Sequence, residues 1–66
     1  MNIDKVKIET ILAEKGMTRV SLSSTSGLSP QSISTIVRRG TCEPKTAGKL
    51  AAGLGVSVSD IIAREA

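Results

Sequence analysis

The sequence predicts an all-α protein built of five short helices. Three observations carry that prediction. The 66 residues include no Phe, Tyr or Trp, so the core must be assembled from Ile, Leu, Val, Ala and Met. Such aliphatic, Ala-containing sequences favour short close-packed helices over strands, which draw on β-branched and aromatic runs. The apolar residues recur at helical spacing, as in Ile8, Ile11 and Leu12, which fall on one stripe. Glycine, proline and short polar residues divide the chain at regular intervals into segments of helical length.

The first segment runs from about Asp4 to Lys15, with Asp4 as its N-cap and Gly16 as its stop. The second starts after Thr18, a good N-cap, and reaches about Thr25 with Leu22 as its apolar anchor. Its Ser21-Leu22-Ser23-Ser24-Thr25-Ser26 run is a weak helix former, so its order depends on what packs against it. A turn at Gly27-Leu28-Ser29 follows. Ser29 then caps the third segment with Pro30 at its first position, where the missing N–H costs nothing. Ile33 and Ile36 form its buried stripe, and it ends near Arg39 before Gly40. After the Thr41-Cys42-Glu43 loop, Pro44 opens a fourth helix carrying Ala47, Leu50, Ala51 and Leu54 to Gly55. Val56 reads as a core residue in the connection. Ser57-Val58-Ser59-Asp60 resembles a capping box and predicts a fifth helix with Ile61 and Ile62, fraying towards Ala66.

Length and composition exclude several function classes. A chain of this size buries only about 60% of the surface its unfolded form exposes. It is read as one domain that works by presenting a surface rather than enclosing a substrate. Without aromatic rings it lacks the stacking platforms that grip single-stranded nucleic acid. Cys42 is the lone cysteine and histidine is absent, which excludes an internal disulfide and a Cys/His zinc site. No apolar run approaches the roughly 20 residues of a membrane span. Met1-Asn2-Ile3-Asp4-Lys5 lacks a secretion-signal pattern. These readings predict a reduced, soluble, cytoplasmic protein without metal or cofactor. The carboxylates form no pair beside a nucleophile, and no enzyme is expected.

The net charge is +3, and its placement matters more than its size. Arg19, Arg38, Arg39, Lys45 and Lys49 lie between Thr18 and Leu50 against Glu43 alone. Lys5, Lys7, Lys15 and Arg64 elsewhere are balanced by Asp4, Glu9, Glu14, Asp60 and Glu65. A basic patch in the middle of the chain suits a polyanionic partner.

The informative unit spans Arg19 to Arg38: a short helix, a tight turn at Gly27, and a second helix. Ser23 is small enough to let the helices approach, while Leu22, Leu28, Ile33 and Ile36 fill the wedge between them. Such a unit holds two helices at roughly 90–120° so that the second projects. This stretch resembles the helix-turn-helix of the lambda-repressor-like family, the Cro and Xre-type regulators. The run from Pro44 to Ser57 is similar to that family's fourth and fifth helices, and the likeness extends from about Lys7 to Ile62.

The resemblance implies that the helix from Pro30 to Arg38 enters the major groove, where Pro30, Gln31, Ser32 and Thr35 occupy base-contacting positions. Gln31 suits adenine, whose N6 and N7 a carboxamide reads bidentately, and the Thr35 methyl suits a thymine methyl. Pro30 has no hydrogen bond to offer. Arg19, Arg38, Arg39 and Thr41 fall at phosphate-contacting positions, Arg19 standing where relatives often carry Gln; Thr18, at a helix start that favours anions, and Lys45 are further phosphate candidates. An Arg–Glu pair of many relatives is replaced by Leu12 and Val37, which are expected to pack together. Such an exchange leaves no orphaned buried charge.

The resemblance further implies double-stranded DNA as partner and a homodimeric repressor acting at a near-palindromic operator, with Val58, Ile61 and Ile62 as the dimer surface. Two alternatives stand beside this reading, the second from another class. One is a DNA-binding antitoxin or mobile-element accessory regulator with a protein partner. The other is a helical interaction module that has lost DNA binding. Cys42 reads as a passenger and Met17 as core.

Overall fold

The computed structural model describes residues 1–63 of the chain. Four α-helices follow one another: α1 (Lys5–Lys15), α2 (Arg19–Ser26), α3 (Pro30–Arg39) and α4 (Pro44–Leu54). A single 3-10 turn at Val58–Asp60 succeeds them. Each boundary follows from local chemistry. The Asp4 carboxylate accepts from the Val6 and Lys7 amides at 2.9 and 3.2 Å, and the Thr18 and Ser29 hydroxyls accept from the Ser21 and Ser32 amides, both at 3.1 Å. These bonds satisfy amides that the first turn of a helix leaves without partners. All four helices stop at a glycine in the left-handed region: Gly16, Gly27, Gly40 and Gly55.

The core is one cluster drawn from every helix: Ile8 and Leu12, Leu22, Ile33, Ile36 and Val37, then Ala47, Leu50, Ala51 and Leu54. Met17, Leu28 and Val56 pack against it, partly buried. Leu12 and Val37 both join this cluster, so no charge is buried where relatives carry an Arg–Glu pair.

α2 is the helix its own sequence least supports, and it is held by α4. Leu22 is fully buried, and the Thr25 hydroxyl donates to the Gly53 carbonyl at 2.9 Å. The crossing is very close. A Cβ built on Gly53 would lie 2.6 Å from the Ser26 Cβ and 2.9 Å from its Cα. Buried Ser26 also accepts from the Leu28 amide at 3.2 Å, and the Ser23 hydroxyl donates to the Leu28 carbonyl. The helix-to-helix turn is therefore stitched by side chains of α2 itself.

Two expectations are corrected at the carboxyl-terminal end. The fifth helix is only the 3-10 turn. The capping box does form, with the Ser57 amide donating to the Asp60 carboxylate at 3.2 Å, but the chain leaves helical geometry at Ile61 (φ −121°, ψ −7°). The reason is tertiary. The amino-terminal segment runs alongside: the Asp4 amide donates to the Ile61 carbonyl at 2.9 Å, the Ala63 amide to the Asn2 carbonyl at 3.0 Å, and Ile3 pairs with Ile62. The expected run towards Ala66 lies outside the described residues from 64 onward. Ile61, expected on a dimer surface, is fully buried in the core instead, because that pairing turns it inward. Ile3, which the helical spacing did not mark, is buried beside it.

Candidate nucleic-acid interface

α3 carries both halves of the candidate site on one short amphipathic helix. Its Ile33, Ile36 and Val37 face the core, while Gln31, Ser32, Arg38 and Arg39 face solvent and Thr35 is partly exposed. The alternation follows from the 3.6-residue repeat. Ser29 fixes where the helix starts, and so sets which side chains occupy its first exposed turn. Its hydroxyl accepts from the Ser32 amide and donates to the Ser32 hydroxyl at 2.9 Å.

The exposed face of α3 is one wall of an open groove of about 430 Å³. Gln31, Ser32, Thr35, Arg39 and Thr41 all line it, so five of the residues singled out in the sequence come together here. Ser29, Cys42, Glu43 and Thr46 complete the polar lining, with Leu28 and Ile36 at the floor. Glu43 and Thr46 were not singled out, and Cys42 was read as a passenger. The loop after Gly40 folds back beside α3 rather than away from it, a tertiary fact that spacing along the chain does not encode.

The donors differ in readiness. The Gln31 carboxamide is exposed and makes no intramolecular hydrogen bond among the described residues, leaving its donor and acceptor available. The Thr35 hydroxyl donates back to the Gln31 carbonyl at 2.9 Å, so it offers lone pairs and its methyl outward rather than a free proton. Pro30 opens α3 and is exposed but does not line the groove.

Of the charged candidates only Arg39 lines the groove. Arg38 and Lys45 are exposed outside the groove lining. Thr18 and Arg19 stand together at the start of α2, where the Thr18 hydroxyl is engaged as the cap. The Arg19 guanidinium meets Glu9 of α1, a partner that sequence spacing did not suggest. Thr41 is tied to the amino-terminal segment: its hydroxyl donates to the Met1 carbonyl at 3.1 Å, beside the Cys42 amide, which donates to the same carbonyl at 3.1 Å. The Ile3 amide completes the attachment at the Gly40 carbonyl, 2.8 Å away. The loop bordering the groove is thus held by the chain's first residues. Burial pushes the Cys42 thiol above its ordinary pKa; the positive amino terminus opposes this and Glu43 adds to it.

A capped helix with a polar outer face, set after a shorter helix and a tight turn, is the arrangement of a helix-turn-helix. A family model for the Cro/C1-type helix-turn-helix DNA-binding domain matches residues 7–66. The chain belongs to that family. Neither curated proteins nor solved structures give a significant match.

Proposed function

We propose that this chain is a sequence-specific double-stranded-DNA-binding transcriptional regulator, a cytoplasmic repressor acting as a homodimer on a near-palindromic operator. The observation that carries this reading is the groove that gathers Gln31, Ser32, Thr35, Arg39 and Thr41 along the exposed face of α3. In this reading the 66 residues act as one DNA-binding unit. Gln31 and Thr35 read base edges, Ser32 assists, and Pro30 contributes only apolar contact at the helix start. Thr18, Arg19, Arg38, Arg39, Thr41 and Lys45 contact phosphates, which fix register without choosing sequence. One helix reads only a few base pairs, so two copies are required for an operator, with half-buried Val58 and Ile62 contributing to their contact. No step of this function is catalytic.

The test is selection from a randomised duplex pool, with Gln31→Ala and Arg39→Ala run in parallel. The expected result is a symmetric site. Gln31→Ala then relaxes preference at one base per half-site, while Arg39→Ala weakens all sequences alike. Retention of no duplex even at low salt, where phosphate contacts are strongest, overturns the reading.

A further inference from the structure

Arg19 opens α2, and the Glu9 carboxylate on α1 lies beside it. Nη2 of Arg19 donates to Oε1 of Glu9 at 3.3 Å, with side-chain exposures of 44% and 50%. It is the ion pair present among the described residues, and it sits on one of the groups proposed to meet DNA. A half-solvated, single-contact pair of this kind is weakly held and easily exchanged. A phosphate oxygen competes for the same guanidinium donors as a carboxylate, and both make charge-assisted bonds with it.

We propose that Glu9 sets the affinity of the DNA site by acting through Arg19: its carboxylate occupies, in the free protein, the place a phosphate oxygen takes in the complex. This rests on the DNA-binding reading above. The remaining steps are electrostatic. On binding, Arg19 exchanges one anionic partner for another rather than gaining its first. The released Glu9 is left close to the phosphates, where its charge repels them and retains a cation. Glu9 therefore lowers affinity. It also flattens the salt dependence, because the counterion released from DNA on contact with Arg19 is matched in part by a cation taken up at Glu9. Glu9 is a positioning residue, not a DNA contact. Glu14 provides the comparison, being exposed on the same helix and not paired with Arg19.

The experiment measures binding to a duplex carrying the selected site, between about 50 and 200 mM salt. The proteins are wild type, Glu9→Gln, Glu14→Gln, Arg19→Ala and Glu9→Gln/Arg19→Ala. Glu9→Gln is expected to raise affinity about two- to fivefold at low salt. It is also expected to steepen the slope of log K against log salt by up to about one unit per protomer. Glu14→Gln gives a smaller gain and no comparable change of slope. In the Arg19→Ala background the gain from Glu9→Gln falls to the Glu14→Gln level. The inference is overturned if Glu9→Gln weakens binding, if its gain matches that of Glu14→Gln, or if the gain survives loss of Arg19. If wild type binds and Arg19→Ala binds equally well, the DNA-binding reading stands and this inference alone fails. If wild type retains no duplex at low salt, both fail together.

Discussion

Gly48 and Gly53 sit in the same helix and meet opposite surroundings. A Cβ at Gly53 would press into the Ser26 Cβ at 2.6 Å and its backbone nitrogen at 2.9 Å, while one at Gly48 meets nothing within 4 Å. Backbone atoms of a packed helix cannot yield as a side-chain tip does. Gly53→Ala is therefore expected to cost about 1–3 kcal/mol through overpacking, despite alanine's better helix propensity. Gly48→Ala is expected to stabilise by about 0.5–1 kcal/mol, because nothing opposes that propensity. Urea denaturation of the two variants checks both signs. Cys42 gives a second expectation at this scale. Its thiol pKa is raised in the folded chain, chiefly by burial, so the folded state holds the proton more tightly than the unfolded state. Its contribution to stability is complete below the ordinary pKa and is lost as pH rises through the folded value. Stability should decline in the alkaline range, and Cys42→Ser should remove part of that decline, as followed by denaturation midpoints across pH.

The elements differ in how far their own sequences specify them. α1, α3 and α4 were legible because stripe, start signal and glycine stop coincide, as at Ser29, Pro30 and Gly40. α2 was legible only by its neighbours: its serines carry little helix propensity, and its order comes from Leu22 and from the Thr25 and Ser26 contacts with α4 and the turn. In the amino-terminal segment only the Asp4 cap was legible, since Met1, Asn2 and Ile3 carry no periodicity and the segment's partners lie far along the chain, at Gly40, Thr41 and Cys42 and at Ile61, Ile62 and Ala63. The same pairing stopped the chain after the single turn that the Ser57 capping box starts, and took Ile61 into the core. The exposed side of α3 follows from helix period and the family resemblance picked out the candidate residues on it, whereas Glu43 and Thr46 were not singled out and Cys42 read as a passenger, because a loop's return path is set by what anchors it. Ile3 is that anchor, 4% exposed between the Gly40 and Ile61 segments. Ile3→Ala is expected to cost about 2–4 kcal/mol, like a core truncation within a helix. It should also speed hydrogen exchange at the Cys42 amide more than at the amides of Ile33 or Leu50.

At the scale of the whole molecule, size constrains how the proposed dimer reads DNA. The chain measures 31 × 22 × 19 Å. Recognition helices entering successive major grooves on one face of B-DNA lie roughly 34 Å apart. Two bodies of these dimensions can touch at that spacing, so in the proposed dimer protein contact and operator spacing are coupled. A half-turn insertion of about 5 base pairs between half-sites rotates one protomer to the other face of the duplex and should reduce binding to that of an isolated half-site. A full-turn insertion restores the face but sets the helices about 68 Å apart, beyond twice the chain's longest extent. The full-turn insertion should therefore fail to restore cooperative binding. Titration of the natural-spaced, half-turn and full-turn duplexes, with the Hill slope as readout, checks this. Recovery of cooperativity at the full turn would mean that the coupling does not pass through direct contact between two such bodies, and the touching-dimer geometry would have to be abandoned.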